Sequence, residues 1–259
     1  MGQYSARRLV WTVAMGLTLF GAAPLWAGNL AAVPMTMTPI YMNTSFNLMM
    51  IDATRRRAEI AYGPSRESGS SRSPISRAPA GSESAAIADF TVPSNPAVSA
   101  QVKAAFLDAI RAHNSPEVTA GIADIFQRKP VRAAYLEAAS PYDITDRDLR
   151  DVVAAYLTVA WMTANKAPLP TREQVQGLRH QVADDLAKVF AAADARTRQT
   201  IAEQMMYQIV STIYARQDAE KAGDSQTLQR MADQTSTAFR TQKLDLRAIA
   251  LTDQGFSPR

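Results

Sequence analysis

Cysteine is absent from the 259 residues of this chain. Its absence excludes disulfide bonds, thiolate nucleophiles and lipid anchors attached to cysteine. A cysteine-free protein that leaves the cytoplasm has to draw its stability from the folded core alone. Histidine is nearly absent as well, since only His113 and His180 occur.

These two histidines do not indicate a metal site. They fall on different predicted helices, and zinc sites usually need three or four ligands at recognisable spacing. His180 precedes Asp184 by about one helical turn. We favour a pair of exposed helix residues over a ligand pair at that spacing, and we predict no metal ion.

Sequence motifs of common reactions are lacking too. The chain contains no GxSxG nucleophile elbow, no glycine-rich phosphate loop and no dinucleotide-binding fingerprint. Glycine is scarce in the second half of the chain, so backbone cradles for phosphate are not expected there. We predict no cofactor and no catalytic residue.

Residues 1–27 have the pattern of a secretory signal peptide. Arg7 and Arg8 form a positively charged start, and the apolar stretch Leu9–Ala23 follows. Ala27 is the predicted last residue before the cleavage site. An uncleaved N-terminal anchor is the alternative interpretation. Either one would place the rest of the chain in the periplasm or outside the cell.

The formal net charge of +4 does not indicate a nucleic-acid partner. Loss of Arg7 and Arg8 with the signal peptide would lower it to +2. Arg55, Arg56 and Arg57 form one cluster, and the part of the chain that follows the linker is close to neutral. We predict no nucleic-acid partner.

Residues 28–62 form a methionine-rich arm. Flexible thioether side chains suit adaptable contact surfaces, so the arm could dock on an envelope protein or grip a ligand. The interpretation that we favour is a segment that packs back on the helical domain.

Residues 63–96 are dominated by Gly, Pro, Ser, Ala and Arg, and we predict a disordered linker with an ordered patch around residues 87–92.

The helical signals lie in residues 97–256. Asp146–Lys166 is the most apolar long run after the signal peptide, and its apolar residues recur at three- and four-residue steps. A helix that is apolar over most of its circumference is buried in a core or spans a membrane. The uncharged part is shorter than the about 20 residues that a span needs. We predict a core helix with an N-cap at Thr145 and a left-handed C-cap at Asn165, and no transmembrane span.

Capping residues mark the other helices. The predicted N-caps are Ser94 or Asn95, Ser115, Thr171 and Asp194. Thr171 and Gln174 form a capping box, and Gly223 ends the longest helix. Short loops favour antiparallel neighbours. We predict an all-α fold, a compact bundle of about six to seven helices, closed by a short extended segment, a turn at Asp253–Gly255, and Phe256 returning to the core.

Three short motifs resemble those of a family of exported bacterial proteins of unknown function. They are Trp161 with Asn165, the Thr171-capped helix with Gln174 and Val175, and the closing Leu251–Phe256. The resemblance covers about residues 97–256 together with the methionine-rich arm. It implies a helical exported domain and assigns no activity, ligand or catalytic residue.

Three groups of charged or aromatic side chains are candidate sites. The acidic cluster is Asp143, Asp146, Asp148 and Asp151. Its spacing does not match the calcium-loop pattern, and helix capping explains the cluster without a metal. The carboxylates that a glycan hydrolase could use are Glu117, Glu137, Glu173 and Glu203. We favour surface positions for all four, with partial burial of Glu203, between Ile201 and Met205, as the alternative. The aromatic residues that could line a pocket are Tyr135, Tyr142, Tyr156, Trp161 and Tyr207, for which we favour core positions.

We therefore predict an exported helical protein that is not an enzyme and acts as a binding or assembly module of the cell envelope. An envelope protein is the partner considered for residues 28–62. Two alternatives stay open. One is a cell-wall glycan hydrolase that uses a single glutamate, and the other is a carrier of a small apolar ligand between helices.

Overall fold

The structure, a computed structural model, describes residues 89–190 and 193–259, without the side chains of Asp184, Lys188 and Val189. The predicted signal peptide, the methionine-rich arm and the linker up to residue 88 lie outside the described residues. Seven α-helices and one two-stranded antiparallel sheet form the described part, which confirms the predicted all-α bundle. Within residues 89–190 and 193–259, no helix has the length and hydropathy that crossing a membrane requires.

The helices follow one another through short connections. They are α1 (Pro96–Arg111), α2 (Pro116–Arg128), α3 (Val131–Ala139), α4 (Leu149–Asn165), α5 (Arg172–Phe190), α6 (Ala195–Lys221) and α7 (Ser225–Thr241). A 3-10 turn, Ser140–Tyr142, follows α3. The strands β1 (Ile249–Thr252) and β2 (Gly255–Pro258) close the chain.

Helix α4 is the centre of the bundle. Twelve of its 17 residues are buried, among them Leu149, Val152 and Val153 with at most 1% of their surface exposed. It packs against α5, α6 and α7, while α1 and α3 pack on α6. The helix therefore lies inside the bundle, as its nearly continuous apolar surface predicts.

Both predicted ends of α4 are wrong by a few residues. The N-cap is Asp148, whose side chain accepts a hydrogen bond from the Arg150 N–H, and not Thr145. The chain stays extended up to Asp148 because residues 90–92 pair with residues 147–149 through two backbone hydrogen bonds. At the other end Lys166, not Asn165, adopts the left-handed conformation.

The segment before α1 overlaps the end of the predicted linker, and here the chain is held in place. Val92 is buried, and Arg198 donates hydrogen bonds to the Thr91 carbonyl oxygen and to Asp89. The ordered patch predicted around residues 87–92 corresponds to this segment from residue 89 onward. Residues 89–95 thus join the starts of α4 and α6.

The predicted caps of the other helices are confirmed at Asn95, Ser115 and Asp194, each of which accepts a hydrogen bond from a backbone N–H. Thr171 and Gln174 form the reciprocal capping box, with hydrogen bonds of 2.9 and 3.2 Å. Gly223, which follows the C-cap Ala222 of α6, has a φ of 65°. Local sequence therefore determines where these helices begin and end.

The C-terminal hairpin packs on α5. Its two-residue loop, Asp253–Gln254, leads into Gly255, whose φ of 94° favours glycine. Gly177 of α5 lies against this turn, so closely that an added Cβ would come 2.2 Å from the Asp253 carbonyl oxygen. Phe256 is buried, as predicted for the end of the chain.

We predict that Gly177→Ala destabilises the protein by about 2 kcal/mol, because the hairpin has to move away from α5. Urea unfolding, followed by circular dichroism, measures the change. Gly121 is the matched control, since it also lies within a helix but has open space around the position of a Cβ. Gly121→Ala should stabilise by about 0.5–1 kcal/mol. Equal effects of the two substitutions would contradict this packing.

We also predict an acid-sensitive contribution from two N-caps. Hydrogen bonds from Thr197 lower the pKa of Asp194, and those from Thr227 lower the pKa of Asp224. Because both pKa values are lowered on folding, this stabilisation is complete above the unfolded-state value, about 4, and is lost as the pH falls through the folded-state values.

The double variant Asp194→Asn, Asp224→Asn keeps both acceptors without their titration. Its melting temperature should fall less than that of the wild type when the pH drops below about 4. Asp253→Asn, in the hairpin loop, is the control and should follow the wild type. A double variant that follows the wild-type curve would rule out the effect.

Candidate functional site

A partly open pocket of about 100 Å³ lies between α4, α6 and α7, with contributions from α1 and α2. It borders the central helix, where Tyr156, Val159 and Ala160 form part of its wall. The apolar lining residues are Ile110, Ile122, Ile125, Phe126, Tyr156, Val159, Ala160, Ile209, Tyr214, Ala215, Ala238 and Phe239. The described lining contains no charged side chain.

Aromatic side chains form part of the pocket wall. Tyr156 and Phe239 pack with their ring centroids 5.9 Å apart. Phe126, on another wall, packs edge-on against Phe106 and Tyr207. Burial raises the pKa of the Tyr156 phenol, which therefore stays protonated at neutral pH. The aromatic part of the wall thus consists of uncharged rings, which pack on one another or on rings of the core.

Neutral polar side chains complete the lining. They are Thr163, Gln208, Ser211, Thr212, Gln234, Thr235 and Gln242. Gln242 differs from the rest of this set, because its Oε1 atom is buried and has no hydrogen-bond partner within the described part of the chain. The lining of this pocket therefore suits a small neutral molecule.

The five predicted aromatic residues do not meet at one site. Tyr135 and Tyr207 are buried in the core, as expected, and the Tyr135 hydroxyl donates to the Thr145 carbonyl oxygen. Burial and the charge of Glu203 raise the pKa of Tyr207 to about 12. Tyr142 and Trp161 are half-buried elsewhere, and Tyr156 alone of the five lines the pocket.

Glu203 corrects the expectation that all four candidate glutamates lie at the surface. Glu117, Glu137 and Glu173 are exposed, but Glu203 keeps 1% of its surface exposed. Its Oε1 atom accepts hydrogen bonds from Ser99 Oγ (2.8 Å), Arg132 Nε (3.0 Å) and Gln199 Nε2 (2.9 Å). The flanking apolar residues Ile201 and Met205 indicate partial burial. Gln199 lies one turn earlier on the same helix, whereas Ser99 and Arg132 come from distant parts of the sequence.

Arg132 is the centre of this buried polar cluster. Besides Glu203, its guanidinium donates to Asp146 Oδ2 at 2.9 Å and to the Pro93 carbonyl oxygen at 2.6 Å. It therefore joins α3, α6, the loop before α4 and the segment before α1. A general acid needs a proton to give away, whereas the donors around Glu203 suit a carboxylate. The geometry is that of a structural ion pair.

The acidic cluster is likewise held by arginines. Asp143 pairs with Arg172, Asp146 with Arg132, Asp148 with Arg150 and Arg179, and Asp151 with Arg179. Asp151 is buried and also accepts hydrogen bonds from the Thr145 N–H and hydroxyl. The four carboxylates tie the start of α4 to α3 and α5. No group of three or more potential metal ligands occurs among the described residues.

The two histidines stay apart and are exposed in the described structure. His113 follows the end of α1, and His180 lies within α5. The side chain of Asp184 lies outside the described residues, so the spacing of His180 and Asp184 stays a sequence observation.

The residues that carry the family resemblance converge on the C-terminal hairpin. Trp161 Nε1 donates to the Ile249 carbonyl oxygen at 3.0 Å, and Gln174 Nε2 donates to that of Leu251 at 3.1 Å. Asn165 Nδ2 donates to the Leu246 carbonyl oxygen at 3.0 Å. These motifs, distant in sequence, together attach the chain end to α4 and α5. They form a structural contact and do not border the pocket.

Comparisons with protein-family models, with curated proteins and with solved structures found no match for this chain. The resemblance to exported helical proteins of unknown function therefore stays a prediction. The pocket beside α4 is the candidate functional site because it combines a mostly apolar wall with a few uncharged polar side chains.

We predict that Arg132→Ala destabilises the protein by about 3 kcal/mol, because it leaves the Glu203 carboxylate buried without its counterion. Chemical denaturation measures the loss. Arg111→Ala is the control, since Arg111 pairs with Asp108 at the exposed surface, and it should cost less than about 1 kcal/mol. The double variant Arg132→Leu, Glu203→Leu should recover part of the loss. A double variant less stable than Arg132→Ala would contradict the ion-pair account.

Proposed function

We propose that this protein is a non-catalytic binding protein that carries a small, neutral, apolar ligand in the pocket between α4, α6 and α7. The observation that supports the proposal is the pocket itself, with its aromatic and aliphatic wall and its uncharged polar side chains. Ligand sites in proteins are concave, mostly apolar and provided with few polar groups, and they occur between the helices of bundles.

The size of the pocket limits the ligand. An engineered cavity of about 150 Å³ lined by Leu, Ile and Phe binds benzene. A pocket of about 100 Å³ that is partly open takes one ring or a short branched chain, while the rest of a larger ligand extends towards solvent. A charged group would lose its hydration without gaining a counterion, since no described lining residue is charged.

The sequence adds an expected location to this proposal. The predicted signal peptide would export the protein, so we propose that the ligand is met in the periplasm or outside the cell. In the alternative in which the methionine-rich arm, residues 28–62, docks on an envelope protein, the linker would connect the carrier to that protein. This part of the proposal depends on the sequence pattern alone.

Binding of fluorobenzene tests the proposal, because fluorobenzene is neutral, apolar and the size of one ring. The ¹⁹F NMR signal should broaden and shift on addition of the protein, with saturable binding. Ala238→Leu extends a side chain into the pocket from α7 and should abolish this binding while keeping the helix.

Ala138→Leu is the matched control. Ala138 is also a half-buried helical alanine, on α3, but it does not line the pocket. This variant should bind fluorobenzene as the wild type does. Absence of binding by the wild type, or equal binding by both variants, would reject the pocket as the ligand site.

A further inference from the structure

The pocket between α4, α6 and α7 is partly open, so part of its apolar wall meets water. Contact between apolar surface and water is unfavourable, and covering that surface stabilises a protein. No described lining residue is charged, so a charged group that entered would lose its hydration without gaining a counterion. The pocket therefore suits an occupant that is both apolar and uncharged.

The chain itself contains a segment with these properties. Residues 28–51 of the methionine-rich arm hold no charged residue, and they are the longest uncharged stretch after the predicted signal peptide. Asp52 ends this stretch, and Arg55–Arg57 follow. Methionine side chains are unbranched and fill irregular apolar spaces. The composition of the arm thus matches the lining of the pocket.

The second part of the arm has the spacing of a segment that binds between helices. Phe46, Met49, Met50 and Ala53 occupy positions i, i+3, i+4 and i+7. Helices with anchors at these positions dock in apolar grooves of their partners. A pocket of about 100 Å³ has room for one large side chain of this set, while the others would cover its opening.

The start of the described chain lies within reach of the pocket. Asp89 pairs with Arg198 of α6 at 2.6 Å. The lining residues of α6 run from Gln208 to Ala215, and at 1.5 Å per residue they lie about 15 to 26 Å farther along the helix. A disordered linker over residues 54–88 would have a root-mean-square span of about 30–35 Å. Its length therefore allows residues 46–53 to reach the pocket.

The tether makes weak contacts sufficient. A segment held by a linker of this kind has an effective concentration of about 1 mM at its site. With an intrinsic Kd of about 0.1 mM the segment would then occupy the pocket in about 90% of the molecules. A few apolar side chains can supply an affinity of this order.

We propose that residues 46–53 of the same chain dock in the pocket through Phe46, Met49 and Met50, and that an incoming ligand has to displace them. The docking concerns this chain alone. The competition rests on the proposed function, since it describes how ligand access to the same pocket is regulated.

A nitroxide label locates the arm. Because the chain has no cysteine, one introduced cysteine takes the label at a single position. Thr237→Cys places it on an exposed residue of α7 next to Ala238 of the pocket. In the mature protein, residues 28–259, the label should broaden the ¹³C-methyl NMR signals of Met49 and Met50 more than those of Met35 and Met37.

Two controls accompany this measurement. A label at the exposed Gln254→Cys, in the hairpin loop that packs on α5, should broaden the signals of Met49 and Met50 much less. A mixture of labelled protein without ¹³C and unlabelled protein with ¹³C should show no broadening. Broadening in the mixture would assign the docking to a second copy and overturn the proposal, as would equal broadening from the two label positions.

Fluorobenzene binding tests the competition. The double variant Met49→Glu, Met50→Glu adds two charges that the uncharged lining cannot pair, so the segment should leave the pocket. The apparent Kd for fluorobenzene should then fall about tenfold, as expected when an occupancy of about 90% is removed. Met35→Glu, Met37→Glu is the matched control in the same arm and should keep the wild-type Kd.

The results separate this proposal from the proposed function. Sharp Met49 and Met50 signals beside the Thr237→Cys label would overturn the docking, while fluorobenzene binding would still support the carrier. Broadened signals in a protein that binds no fluorobenzene, with or without the Met49→Glu and Met50→Glu substitutions, would support the docking and reject the carrier. An unchanged Kd in that double variant would overturn the competition.

Discussion

Helix α4 is apolar on nearly every side, and this constraint determines where the other elements lie. A helix of this kind gains its stability only when neighbours cover its whole surface. Helices α5, α6 and α7 cover it directly, and the hairpin receives a hydrogen bond from Trp161 on its remaining face. The Arg132 and Arg179 ion pairs then hold the start of α4 in place. Packing and electrostatics therefore act on the same element.

The candidate site follows from this enclosure. Around Val159 and Ala160 the neighbouring helices do not fill the space completely, and the pocket lies there. Its wall includes buried core residues such as Ile110, Ala160 and Ile209, so the packing that stabilises the fold also shapes the pocket. The proposed binding function accordingly needs no mobile loop. The buried ionisable groups Glu203 and Asp151 serve the architecture instead, because arginines hold both of them.

Local features of the sequence predicted much of the fold but little of the site. Ser115, Thr171 and Asp194 were recognised as caps because a cap depends on residues within one turn. Thr145 was assigned wrongly as a cap because the segment around Phe90, distant in sequence, keeps the chain extended up to Asp148. Burial of Glu203 depends on Arg132 in another helix. A pocket depends on how several helices pack together, which no local pattern encodes.

Xenon binding tests the central claim most directly, because xenon occupies apolar cavities without requiring any particular polar contact. Crystals of the protein pressurised with xenon should show one strong site next to Ala160 and Phe239, between α4 and α7. That result would establish that the enclosure of α4 leaves a pocket ready for an apolar ligand. An absence of xenon there, with α7 packed closely on α4, would contradict the account.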